Sequence, residues 1–212
     1  MGCPEGTTKE GYEIQIGTNH VGHALLTKLL LPTLQKTAKD QPAGSVRIIN
    51  LSSAGEQFAP KPDGIKFDSL KTPNSGGIGT WQRYGQSKLA NILHAKALAK
   101  RYPDLVCVSI HPGAVQTELT RGPIASYGSW LSWPAKIIGA VFMKSVGQGA
   151  WNQTWAAVAP VARAGDATEG VKTGTFYWPV GLAGKDSALA KDDALSERLW
   201  DWTEKELEGQ SI

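Results

Sequence analysis

Tyr84-Gly85-Gln86-Ser87-Lys88 runs without a break into the alanine-rich apolar stretch Leu89-Ala90-Asn91-Ile92-Leu93-His94-Ala95-Lys96-Ala97-Leu98-Ala99. The pattern predicts a helix that closes near Arg101-Tyr102, with Pro103 as its stop. On that helix Tyr84 and Lys88, four residues apart, stand one above the other on the same face. A free phenol, with a pKa near ~10, exchanges protons poorly at neutral pH; a nearby ammonium favours the phenolate and lowers that value. Tyr and Lys at this spacing also occur by chance on amphipathic helices, so the residues around them decide what the pair means.

Outward from the helix, each side carries a short β-branched run. Ser45-Val46-Arg47-Ile48-Ile49-Asn50-Leu51 precedes it, and Leu105-Val106-Cys107-Val108-Ser109-Ile110 follows it. Such runs fit strands buried on both faces of a parallel sheet. Strand, helix, strand at this spacing is a βαβ unit with a right-handed crossover, which sets the fold class as α/β with a doubly wound parallel sheet. Both strands end in turn chemistry, Ser52-Ser53-Ala54-Gly55 after the first and His111-Pro112-Gly113-Ala114-Val115-Gln116-Thr117 after the second. Ligands of open α/β sheets bind at these carboxyl ends. The two serines either satisfy turn backbone or take part in chemistry, and both readings stay open at this point. Residues 56–80 are polar and Gly/Pro-rich, an insertion loop in which Ile65-Lys66-Phe67-Asp68 reads as a short strand.

Upstream, residues 1–6 read as a loop, and Thr7 with Glu10 has the capping-box spacing for a helix start. That helix would run through Tyr12, Ile16, Val21, Ala24 and Leu25 to Leu34, with Pro32 near its end. Gly17 and Gly22 cost it stability and point to close approach by another backbone or a ligand. Asn19, in Thr18-Asn19-His20-Val21-Gly22-His23, reads most simply as a tie from this helix to a neighbour. His20 and His23 have no third ligand nearby, so a metal site is not expected. Downstream, residues 118–144 are apolar, aromatic and irregular, with Tyr127, Trp130, Trp133 and Phe142. They read as a lid over an apolar substrate, because they follow a strand's carboxyl end, as a packed surface segment, or as a membrane-touching patch flanked by Lys136 and Lys144. Ser145 caps a helix through Trp151, Trp155 and Val158; Gly174-Thr175-Phe176-Tyr177-Trp178 reads as a third strand; and a last helix spans about 193–207, with Trp200 and Trp202 as packing residues.

With 212 residues, 41% of them hydrophobic, the chain can bury a core and reads as one domain over 1–212. The formal net charge of +3 comes from scattered residues, without the basic run that nucleic-acid binding needs. Cys3 and Cys107 are too few for a disulfide framework or zinc site, which favours a reducing compartment. No run of about 18 apolar residues would span a membrane, and the start lacks a signal-peptide core. The cytoplasm is the expected location.

Taken together, Asn19, Ser52-Ser53, Tyr84-x-x-x-Lys88 and Pro112-Gly113-x-Val115-x-Thr117 resemble, in order and spacing, the short-chain dehydrogenase/reductases. Thr18-Asn19-His20-Val21-Gly22-His23-Ala24-Leu25-Leu26-Thr27, Tyr84 through Leu93, and His111-Pro112-Gly113 are similar to the retinol dehydrogenase and WW-domain oxidoreductase branch. The resemblance implies a Rossmann-like fold and an NAD(P)-dependent oxidoreductase acting on an apolar ketone, aldehyde or alcohol, with NADP the cofactor that branch tends to use. It implies Tyr84 as general acid/base, Lys88 as the group that lowers its pKa and holds the nicotinamide ribose, and Ser53 as a hydrogen-bond donor to the substrate carbonyl. It implies Asn19 as support for a water chain to Lys88, and Pro112, Gly113, Val115 and Thr117 as the nicotinamide-lining segment. Pairing of two copies through the long helices is implied as well.

The family's glycine-rich turn and first strands, which bind the pyrophosphate, have no counterpart in this sequence. Met1-Gly2-Cys3-Pro4 aligns with residues that follow that segment in the family. The expectation is therefore a partial Rossmann-like fold missing its N-terminal strands, with an apolar sheet edge beside Ser45-Leu51 left uncovered. The alternative function is a non-catalytic fragment or pseudoenzyme that binds a partner through that edge.

Overall fold

The tight spacing of two β-branched runs around one long helix produces the centre of the molecule, a parallel sheet with a crossover helix on one face. The computed structural model describes residues 1–72, 79–115, 144–162 and 170–210. Among them the sheet has three strands in the order β1 (Arg47–Leu51), β2 (Val106–Ile110), β3 (Phe176–Tyr177), all parallel. Arg47 pairs with Val106 and Leu51 with Ile110, so the two carboxyl ends lie level. The helices are α1 (Ile14–Ile16), α2 (Gly22–Asp40), α3 (Thr80–Arg101), α4 (Val146–Val158) and α5 (Asp193–Glu206). A π-helical segment, Gly17–Val21, joins α1 to α2.

Side chains alternate across β2, as the period of two requires. Val106, Val108 and Ile110 pack with Ala156 and Ala159 at α4, while Cys107 packs with Leu98 of α3. Helices thus cover both faces of the sheet, the doubly wound arrangement. The larger core lies beyond α3, where Leu89, Ile92 and Leu93 meet Ile16, Ile65, Leu70, Leu195 and Leu199. α3 is buried along most of its length, which is why its stretch reads as apolar almost all round.

Several expectations need correction. The first helix does not start at Thr7, because Gly11 has φ 88°, a left-handed conformation no helix contains. Thr7 instead forms an antiparallel bridge with Glu13, and Glu13 caps α1 by accepting the Ile16 amide at 2.9 Å. α2 continues past Leu34 to Asp40, since Pro32 lies on the exposed face, where water can replace the hydrogen bond it forfeits. Ile65-Asp68 forms no strand; Phe67–Ser69 is a 3-10 turn, and Ile65 is buried in the core. Gly17 does mark close approach, since a Cβ there would meet Thr8 Cγ2 at 2.5 Å, whereas Gly22 faces ordinary space.

β2 is fully buried, but β1 is only half-buried, with Leu51 40% exposed. The reason is its position: β1 is an edge strand among the described residues. Its open side and the exposed Leu26 and Leu30 of α2 line a groove of about 330 Å³. Among the described residues no helix is long and apolar enough to cross a membrane.

Candidate active site

The loop that leaves β1 and the first turns of α3 are pressed together by two glycines. A Cβ on Gly85 would meet Ala59 N at 2.5 Å and Phe58 C at 2.6 Å, and a Cβ on Gly55 would meet Tyr84 Cε1 at 2.6 Å. Only bare backbone lets the 3-10 turn Ala54–Phe58 lie against α3 this closely. Ser53 caps that turn by accepting the Gly55 amide at 3.0 Å, and its hydroxyl sits beside the Tyr84 phenol. Ser52 has a different part: its hydroxyl donates to the Lys88 carbonyl at 2.7 Å, tying β1 to α3. The second serine of the pair therefore faces the tyrosine and the first is structural.

Tyr84 is 7% exposed, and burial raises the pKa of its phenol, with Ser53 acting in the opposite direction. Lys88 Nζ lies 5.9 Å from the centre of the Tyr84 ring and donates to Leu51 O at 3.1 Å. Burial without a carboxylate partner lowers the Lys88 pKa to about 8. Trp81 meets Tyr84 edge-on at 6.4 Å, and Phe58, 55% exposed, meets Trp81 at 6.1 Å. An apolar rim therefore borders the phenol.

Asn19 lies in the π-helical segment, where one extra residue per turn re-aims side chains. Its Nδ2 donates to Ser87 Oγ at 2.9 Å, and Ser87 donates to Tyr84 O at 2.8 Å. Asn19 is thus joined to the residues between Tyr84 and Lys88. Across the sheet, Pro112 and Gly113 follow β2, with Gly113 at φ 91°. His111 Nδ1 accepts the Gly113 amide at 3.4 Å, and burial, reinforced by Lys144, lowers the His111 pKa to about 4. Val115 is buried and bridges Lys144. Thr117, and all of the lid segment 118–144 except Lys144, lie outside the described residues.

The structure thus brings Ser53, Tyr84 and Lys88 together at the carboxyl end of β1, level with the end of β2 where Pro112 and Gly113 begin. Sequence reasoning did not single out Gly55, Gly85 or Asn91. A glycine inside a helix, between the tyrosine and the lysine, is the signal that could have marked Gly85. Asn91, one turn past Lys88 and 2% exposed, carried the signal of a polar residue in an apolar run.

A tyrosine, a lysine and a serine thus stand together at the strand ends of a Rossmann-like sheet. The chain is 38% identical to an uncharacterized oxidoreductase of Schizosaccharomyces pombe, over 97% of this chain and 58% of that protein. It is 33% identical to the short-chain dehydrogenase/reductase drtF of Aspergillus calidoustus, over 100% of this chain and 67% of that protein. It is 36% identical to mouse retinol dehydrogenase 11, over 95% of this chain and 56% of that protein. A crystal structure of an uncharacterized protein from Mycobacterium paratuberculosis superposes with a TM-score of 0.57 at 24% identity, over 97% of this chain and 62% of that one, a likeness of fold. No protein-family model matches the chain. The chain belongs to the short-chain dehydrogenase/reductase family, and it spans between half and two-thirds of the length of these relatives.

Proposed function

We propose that this chain carries the proton-transfer half of an NAD(P)-dependent oxidoreductase that reduces an apolar ketone or aldehyde, or oxidises the matching alcohol. The observation that carries the reading is the Tyr84 phenol between the Ser53 hydroxyl and the Lys88 ammonium, whose Nζ is 5.9 Å from the ring centre. The site fits a nicotinamide nucleotide: of the three N–H groups of Lys88, one has a partner among the described residues, Leu51 O. The other two suit ribose hydroxyls. Gly113, without a side chain and next to Pro112, suits backbone contact with a carboxamide; Val115 and Thr117 complete that lining segment in the family pattern. The nucleotide supplies or accepts the hydride when bound.

The protein's own groups handle the proton. Burial keeps the phenol protonated, so Tyr84 can give its proton to a substrate oxygen that gains charge during reduction. Ser53 donates a hydrogen bond to that same oxygen, and Lys88, positive on one side, stabilises the phenolate left behind. Asn19 holds Ser87 and so the turn between them, in keeping with a supporting place beside Lys88. The apolar rim of Trp81 and Phe58 favours an apolar substrate, as does the likeness to a retinol dehydrogenase. Residues 118–144 are its lid in this reading. NADP is preferred to NAD on the likeness to that branch, the cytoplasm is the location, and two copies pair through their long helices.

Turnover of a retinoid aldehyde with NADPH, followed by loss of NADPH absorbance, should vanish in Tyr84→Phe; retained turnover would remove Tyr84 from the mechanism. Calorimetric titration of the 212-residue chain with NADPH and NADH should give micromolar binding. Binding of neither would instead favour a protein that acts by partner contact at the β1 edge.

A further inference from the structure

Two donors share one oxygen at the end of β1. Lys88 Nζ reaches Leu51 O at 3.1 Å, and Asn91 Nδ2, three residues on along the same face of α3, reaches it at 3.0 Å. Asn91 is 2% exposed, so its orientation is set by partners and not by solvent. With Nδ2 committed to Leu51, its Oδ1 is the end left to face the imidazole of His20, whose charged form Asn91 favours. His20 is 1% exposed and its Nε2 lies 2.8 Å from Thr203 Oγ1 on α5. Burial keeps the ring neutral, with the neighbouring His94 and His23 acting in the same direction. A neutral ring has one N–H and one acceptor nitrogen, so a single tautomer can serve both an acceptor on Asn91 and the Thr203 hydroxyl.

We propose that Asn91 is a positioning residue for Lys88, holding the Leu51 carbonyl toward α3 so that the ammonium keeps one fixed acceptor, and that His20 sets the orientation of Asn91. The proposal rests on the reading of Lys88 as the cation at Tyr84. Leu51 ends an edge strand, and the amide of its own peptide, Ser52 N, donates to Ile110 O at 2.8 Å, so the carbonyl turns away from β2 to the side where Lys88 and Asn91 reach it. Losing it would leave the buried ammonium without its acceptor, which disfavours the charged form. The other titratable groups facing Lys88 are Tyr84 on α3 and His23 on α2. Neither offers a carboxylate to compensate.

The test follows the proton on Lys88 and needs no turnover. The full chain is labelled with ¹³C-lysine, the Cε signal is titrated by NMR, and Lys88 is assigned with Lys88→Gln. The native midpoint is expected near 8. Asn91→Leu should move it down by about half a pH unit or more. His20→Phe should move it the same way by less, and His20→Gln, which restores a donor, should bring it back. Ser196→Ala removes the buried bond from Ser196 Oγ to Leu93 O, 2.9 Å, between α5 and α3. It should lower stability with the Lys88 midpoint unmoved. An unchanged or raised midpoint in Asn91→Leu overturns the proposal; should that variant not fold, equal midpoints in His20→Phe and His20→Gln overturn it. Retained turnover in Tyr84→Phe would refute the catalytic reading while leaving these titrations as they are.

Discussion

Gly85→Ala should destabilise the protein although it places a better helix former in the middle of a helix. In an open helical position the exchange gains up to about 1 kcal/mol. At Gly85 the new methyl would lie 2.5 Å from Ala59 N, 2.6 Å from Phe58 C and 2.8 Å from Gly55 O, where ordinary contact begins at 3.4 Å. All three are backbone atoms of the turn that carries Ser53, so no flexible side chain can yield. The turn must retreat by several tenths of an ångström or more, an overpacking cost of about 1–3 kcal/mol that outweighs the propensity gain. A net loss of about 1–2 kcal/mol is expected. The control is Gly22→Ala on α2, where the nearest atom is Gly17 O at 3.5 Å; it should be neutral or stabilising. Urea unfolding followed by tryptophan fluorescence measures both. Because Ser53 would be carried away from Tyr84, turnover should fall further than stability does. If Gly85→Ala is as stable as Gly22→Ala, the close packing of the Ser53 turn on α3 is wrong.

The buried pair Arg83 Nη1 to Glu13 Oε1, 2.9 Å with both side chains at most 2% exposed, ties α3 to the start of α1. Glu13→Gln, which strands the guanidinium, should cost about 3–5 kcal/mol in the same unfolding assay, whereas an unchanged midpoint would mean the pair is hydrated. Lys88 is depressed from 10.5 to about 8, so the unfolded chain binds its proton more tightly and stability rises with pH between those values. At pH 7 Lys88→Met should therefore stabilise by on the order of 2–3 kcal/mol while abolishing turnover; a destabilised variant would contradict the burial of an ammonium without a carboxylate partner. His94, buried and stacked on Trp200 at 5.7 Å, has its pKa lowered from 6.5 to about 4. The unfolded chain takes up this proton first as pH falls, so stability should drop from pH 6.5 toward 4 at about 1.4 kcal/mol per pH unit for this group. Acid titration of thermal unfolding in His94→Phe should show a shallower slope, and an unaltered slope would place the titration elsewhere.

The strand, helix and strand around Tyr84 were legible because their residues obey local rules: β-branched runs and an apolar helix stopped by Pro103. The Ser52-Ser53 pair at a strand end and Tyr84 with Lys88 on one helix face were legible as well, because periodicity locates both, while Ser53 was singled out from the pair only by the family resemblance. The Thr7 helix start and the Ile65 strand were misread, since a left-handed Gly11 and the packing of Ile65 into a distant core override local spacing.

What the sequence by itself determined is the identity and spacing of the candidate groups, since four residues on a helix turn a tyrosine and a lysine to one side whatever surrounds them. Tertiary structure alone decided their environment. It separated Ser52 from Ser53 by aiming one hydroxyl at the Lys88 carbonyl and the other at the phenol. It brought Asn91 and Lys88 to one oxygen of a strand more than 35 residues earlier, and it placed His20 of the π-helical segment against α5. Burial and shared acceptors arise only when segments distant along the chain pack together, and they set the charge on each group.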